Sequence, residues 1–346
     1  MGGAFGAYLT ACQHDSSSNH AAGGSITAAV SVDDLLAREV LAACQRATAV
    51  EVVAVFDTEA TKTNALESRL RAERDHPRVK LFWSSESLAV VRLAADGVLD
   101  ELPDALWSAW PKQHRDEARR WLAFAARARV IVARPGRPPI NQWEALATPG
   151  LARGSDAAIA IADPRFGTTN AHMAALARVW GEAAFSRWLD GLRLNGTRVL
   201  LGGNAATVEA VATGECAYAI TDSDDALAAI ARGVELQMFI PRTLPVGVRG
   251  GGTMLIPNTI GLVANGPGDA AAAAQVIEYL ISPACEELIA RSPSRNLPLN
   301  PLLAKRDDLR AFHEPDPLEF DPLAVSASAQ AVALMAKRRL EGAPDQ

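Results

Sequence analysis

The 346-residue chain is poor in the features that mark several functional classes. Only four cysteines occur, Cys12, Cys44, Cys216 and Cys285, far apart and without a CxxC pair, which argues against a zinc knuckle or a thioredoxin-type redox centre. Positive charge is not in excess: 34 Lys and Arg against 40 Asp and Glu leave a net charge of -6, so nucleic acid is not an expected partner. No apolar run reaches the ~20 residues that a membrane-spanning helix needs. Tyrosine is scarce, with Tyr8, Tyr218 and Tyr279 standing apart from one another. The signatures HExxH, GxSxG, GxxxxGKS/T and GxGxxG after a strand are missing, and the six histidines are scattered singly. His172, inside a helical pattern, reads as a packed or surface residue. Nothing in these patterns argues for an enzyme.

What is present is the make-up of a soluble globular chain, 49% hydrophobic and 21% charged, long enough for about two domains of ~100 to 200 residues. Short β-branched runs alternate with longer helical patterns, the rhythm of a mostly parallel α/β sheet. Strands are expected at 50–56, 79–83, 129–134, 157–162, 198–201, 216–221, 236–240 and 254–264, with helices between them. Asp33, Asp269 and Ser282-Pro283 mark helix starts. The Pro- and Gly-rich stretches Arg134 to Pro139 and Pro241 to Gly252 break this series. They predict a discontinuous first lobe, 26–135 plus 243–346, with a second lobe, 136–242, inserted in it. The tail after Pro317 reads as a helix on the first lobe or a frayed end.

Residues 1–25 have a different character. Leu9-Thr10-Ala11-Cys12 has the form of a bacterial lipobox, and a polar Ser- and Gly-rich tether follows it. The eleven preceding residues lack Lys and Arg, so they read as a truncated leader with the true start upstream. Lipidation is expected at Cys12, and Cys44, Cys216 and Cys285 are expected to be buried thiols.

Binding chemistry is expected in the loops at the carboxyl ends of strands, where open α/β sheets hold ligands. Thr61 lies in the first such loop, and Ser84, Ser85 and Glu86 lie in the second. Gly167, Thr168 and Thr169 open a helix after 157–162, Asn204 follows 198–201, and Asp222 and Asp224 follow 216–221. Backbone N–H groups at helix starts, together with hydroxyl and amide donors, make an anion site. The same residue types also cap helices, so each loop taken alone has that simpler reading.

These segments, in order, resemble the ferric-iron-type substrate-binding proteins of bacterial ABC importers. The resemblance rests on Val55-Phe56-Asp57-Thr58-Glu59-Ala60-Thr61-Lys62-Thr63, Leu81 to Glu86, Ile161-Ala162-Asp163-Pro164 with Gly167-Thr168-Thr169, and Ala219 to Ala226. Gly252 to Thr259 and Asn296 to Leu299 complete it. It spans roughly residues 28 to 303. It implies a two-lobed type II periplasmic-binding-protein fold, with a hinge and a ligand cleft between α/β lobes, and a monomer that presents its closed form to an ABC permease in the inner membrane. The location implied is the periplasm or the cell surface. Iron-binding members hold the metal with adjacent tyrosines, typically with a His and a Glu. This chain has no tyrosine pair, which leaves Glu86 and Tyr218 as candidate metal ligands. Ferric iron with a bound anion therefore stands beside a phosphorylated organic compound as the expected cargo, and no cofactor is expected. Two rivals share the architecture: an enzyme of the porphobilinogen deaminase type and a ligand-sensing domain.

Overall fold

The computed structural model describes residues 24–56, 62–151, 157–243, 252–303, 305–312 and 317–342. Cys12, Tyr8, Thr61 and most of the loop from Asp57 to Thr63 lie outside these residues. The chain opens with β1 (Ser25–Ser31), α1 (Asp34–Thr48), β2 (Glu51–Phe56), α2 (Lys62–Ala72), β3 (Leu81–Ser84) and α3 (Ser87–Ala95). The short β4 (Leu99–Asp100) and α4 (Asp104–Ala109) lead into the 13-residue β5 (Trp121–Ala133). Next come β6 (Ala157–Ala162), α5 (Gly167–Trp180), α6 (Glu182–Leu194), β7 (Thr197–Leu200), α7 (Gly203–Ala212), β8 (Cys216–Asp222), α8 (Ser223–Ala231) and β9 (Gln237–Phe239). The chain returns through β10 (Leu255–Val263), α9 (Ala270–Leu280), α10 (Pro283–Arg291) and α11 (Pro322–Glu341).

The expected caps are all made. Asp33 accepts from the N–H groups of Leu35 and Leu36, Asp269 from Ala272, and Ser282 from Cys285 with Pro283 in the first turn. Each satisfies donors that a helix start leaves unpaired.

The strands run β2-β1-β3-β10-β5-β8-β6-β7, with β4 also on β10 and β9 on β5. β1 is parallel to β2 and β3, and β6 is parallel to β7 and β8. The long strand β5 joins these parallel groups by changing partners along its length. Residues 121–128 pair antiparallel with β10, and residues 129–133 pair with β8. The exchange at Ala128 and Arg129 comes ahead of the Pro135-Gly136 break in the sequence.

Two cores follow from this arrangement. One packs Val30, Trp83, Phe124, Ile260 and Val276, and the other packs Trp143, Phe185, Trp188, Ile220 and Tyr218. The three described cysteines are buried and form no disulfide with one another.

β5 is irregular where it crosses. Ala125 has a φ of 40°, and the register of β10 shifts between Pro257 and Asn258. An alanine in this region costs about 1–2 kcal/mol, and its backbone groups must find partners other than the ladder. Asn258 Nδ2 donates to the Ala125 carbonyl at 2.7 Å, and the Ala125 N–H donates to Glu286 Oε1 at 2.7 Å. The tail is a helix, as one of its expected readings had it. α11 packs on α3 and also on α5 and α6, because its Ala-rich faces fit closely against both.

Candidate functional site

Parallel β6, β7 and β8 end side by side and feed α5, α7 and α8, whose amino-termini therefore open at one edge of the sheet. In none of these three helices does the N-cap side chain accept from the first turn, although Asp224 Oδ1 accepts from the Asp225 N–H in α8. Gly167 permits the turn into α5 because its φ is +52°, a left-handed conformation that a Cβ would strain.

Beside these ends stand Arg127 and Arg129 of β5. Residues two apart on a strand share a face, so both side chains point the same way while Ala128 faces the core between them. Both arginines are buried, Arg129 completely. They converge on Asp222, which is 1% exposed. Arg129 Nη1 donates to Oδ1 at 2.7 Å, and Arg127 Nε donates to Oδ2 at 3.0 Å. The same Oδ2 accepts from Thr168 Oγ1 at 2.7 Å and from Asn204 Nδ2 at 3.0 Å. Arg129 also reaches Asn204 Oδ1 at 3.1 Å, Thr168 Oγ1 at 3.2 Å and Thr169 Oγ1 at 3.4 Å. Arg127 extends to the Ser85 carbonyl at 2.6 Å, which joins the β3 end to this cluster.

Burial alone would push the Asp222 carboxyl up, but Arg129 and Arg127 hold it below the usual range, so it stays ionised. Asp224, 3.5 Å from Arg127, is raised by burial to about 6, and Asp225 is raised well above the usual range by burial and by Asp224 and Asp222. The two guanidinium groups thus face the firmly ionised Asp222 and an Asp224 that ionises near pH 6. Arg129 Nε and both nitrogens of His172 are buried without a partner. His172 lies against Trp143 with ring centres 4.2 Å apart, and burial with Arg129 nearby keeps it neutral.

The structure therefore brings together Thr168, Thr169, Asn204, Asp222 and Asp224, with Gly167 shaping the approach. It uses the β3 end differently. Ser84 Oγ donates to the Glu86 carbonyl and accepts from its N–H, and Ser85 Oγ donates to the Ser31 carbonyl. Glu86 caps α3, accepting from Leu88 and Ala89 at 2.7 and 2.8 Å, and pairs with Arg92 at 3.2 Å. Its carboxylate is thereby committed to its own helix and is not offered as a metal ligand. Tyr218 likewise departs from its candidate role. It is 1% exposed in the second core, and its hydroxyl donates to the Pro138 carbonyl at 3.2 Å, because it shares Asp222's face of β8 but lies four residues back from the strand end. Arg127 and Arg129 were absent from the expected set.

Residues 25–292 match the bacterial extracellular solute-binding protein family. The chain belongs to that family. No curated protein sequence matches this solute-binding protein. Solved structures that resemble it include apo ferric ion-binding protein A of Pasteurella haemolytica, at 18% identity over 91% of this chain and 97% of that one, with a TM-score of 0.76. The Trichodesmium IdiA (FutA) protein in complex with iron and citrate aligns at 19% identity over 91% and 99%, with a TM-score of 0.73. The periplasmic binding protein P5PA aligns at 16% over 91% and 98%, with a TM-score of 0.68. At these identities the likeness establishes the two-lobed fold, in agreement with the resemblance read from the sequence. Among the described residues no helix is long and apolar enough to cross a membrane.

Proposed function

We propose that this solute-binding protein is the capture component of an ABC importer, closing its lobes on a small anionic ligand and handing it to a membrane permease without catalysis. The observation that carries this reading is the convergence of three uncapped helix amino-termini on the buried Arg127–Arg129 pair. Each helix end favours an anion by roughly 0.3 to 1 kcal/mol at exposed sites, and unpaired N–H groups supply the directed bonds. The discontinuous division into lobes is retained, with the hinge placed where β5 changes partners. A phosphorylated organic compound fits better than bare iron, because Tyr218 and Glu86 are already engaged and a cation would meet two guanidinium groups. Ferric iron with a bound anion is the second reading, favoured by the oxygens of Asp222, Asp224 and Asp225 lying within 4.8 Å of one another.

Calorimetry separates the two. Ferric citrate, inorganic phosphate, a hexose phosphate and an aminophosphonate are titrated into wild type and into Thr168→Ala/Thr169→Ala. An organic phosphate is expected to bind, and the double variant to lose more than tenfold in affinity, ~1.4 kcal/mol. Heat from ferric citrate alone would reject the phosphate reading.

We also propose anchoring through Cys12 at the outer face of a membrane, on the strength of the Leu9-Thr10-Ala11-Cys12 motif and its tether. The chain expressed behind a lipoprotein signal peptide is expected to fractionate with membranes, and Cys12→Ala to release it. Two soluble forms would end the lipoprotein reading.

A further inference from the structure

α11 lies across both lobes, but it is attached to them in different ways. To the second lobe it is held by both apolar and polar ties, with Ala336 and Leu340 buried in that lobe's core. Lys337 Nζ sits 3.3 Å from Asp163 Oδ2, and Arg339 Nη1 sits 3.1 Å from Asp190. Asn170 Nδ2 donates to the Ala329 carbonyl at 3.3 Å, and Ser186 Oγ reaches Met335 Sδ at 3.7 Å. Ahead of the helix, the Leu318 N–H donates to the Thr253 carbonyl at 2.8 Å, just before β10. Contact with α3 is apolar: Leu88 packs with Val325 and Ala329 in a cluster that also holds Ala171, Ala174 and Met254. No hydrogen bond or ion pair between α3 and α11 joins the polar ties found among the described residues.

Hydrogen bonds and ion pairs fix distance and angle, whereas apolar contact is non-directional and survives a small slide with little loss of buried area. Packed helices shear in this way during lobe movements. We infer that α11 is a strap that travels with the second lobe while α3 slides beneath it, so that it limits how far the cleft opens. It backs both cleft-facing helices, α3 behind Ser84 and Ser85 and α5 behind Thr168 and Thr169. The inference rests on the proposed lobe movement and not on the ligand's identity.

Pulsed electron resonance on the full chain tests it. Spin labels go on Ala95→Cys of α3, Arg187→Cys of α6 and Gln330→Cys of α11, taken in pairs, all at exposed positions. The background is Cys12→Ser, the other three cysteines being buried. Spectra are recorded alone and with ferric citrate or a hexose phosphate. The 95–187 pair reports lobe movement by itself. Expected is a 95–330 distance that spreads or shifts together with 95–187, by up to one helical turn, ~5 Å, while 187–330 stays narrow. A narrow 95–330 distance beside a broad 187–330 one would place α11 on the first lobe and overturn the inference. If 95–187 moves and both distances to α11 stay narrow, sliding is overturned while lobe movement stands. If all three stay fixed, lobe movement fails and sliding fails with it. Lys337→Ala/Arg339→Ala should broaden 187–330; an unchanged width would refute the polar tie.

Discussion

Replacing Arg129 with methionine is expected to cost about 3 kcal/mol of stability and to abolish ligand binding. The guanidinium is fully buried and holds Asp222 at 2.7 Å, so its loss leaves a carboxylate in the interior with only part of its compensation. Breaking a buried pair by removing one partner costs roughly 3–5 kcal/mol, and the low end applies because Arg127, Thr168 and Asn204 still reach Asp222 Oδ2. The matching double variant Arg129→Met/Asp222→Asn removes the stranded charge and should recover more than half of the lost stability, though not binding. Urea unfolding of wild type, Arg129→Met, Asp222→Asn and the double variant reads the coupling. If Arg129→Met unfolds at the wild-type midpoint, the pair is not what holds β5 to β8 at the crossing.

That cluster also shows where the sequence was legible. The βα alternation is legible because most strands are short β-branched runs, and the structure brings the loops of Thr168, Thr169, Asn204 and Asp222 to one edge. Two strand segments were missed for the same reason. β1 reads Ser-Ile-Thr-Ala-Ala-Val-Ser and the first half of β5 reads Trp-Leu-Ala-Phe-Ala-Ala-Arg-Ala, and alanine is a strong helix former that only tertiary pairing turns into strand. Loop chemistry does not reveal the arginines, because both lie inside strand β5. A signal was nevertheless present: two arginines two residues apart in an otherwise apolar run share one strand face, and buried charges need partners. Glu86 and Ser84 misled because residues that bind anions or metals also cap helices, and nothing local separates the two uses. Tyr218 is a question of position along the strand, since Tyr218, Ile220 and Asp222 share one face and only the residue at the strand end reaches the edge.

Glu286 gives the fold a pH effect outside the cluster. It is 0% exposed, and it accepts from the N–H groups of Ala125 and Asn300 at 2.7 and 2.6 Å, tying α10 to the kink of the crossing strand. Burial pushes its carboxyl up to about 7 in spite of these bonds. An ordinary glutamate titrates near 4.5, so below that pH both folded and unfolded chains hold the proton and the contribution to stability is complete. As pH rises, the unfolded chain ionises first, and the contribution falls until the folded group ionises near 7, a loss of about 3 kcal/mol at ~1.36 kcal/mol per unit. His114, held down to about 4 by burial, works in the opposite direction, because stability tied to a depressed base rises with pH over that window. The total stability curve therefore mixes signs, and the informative quantity is the difference from Glu286→Gln, which cannot titrate. Glutamine keeps one acceptor of two, so the variant is less stable at acid pH. The gap between wild type and variant is expected to shrink by about 3 kcal/mol between roughly pH 4.5 and pH 7.5, read from urea unfolding at each pH. A gap that stays constant across that range would mean that Glu286 ionises as easily inside the fold as outside it, and that its bonds to Ala125 and Asn300 outweigh its burial.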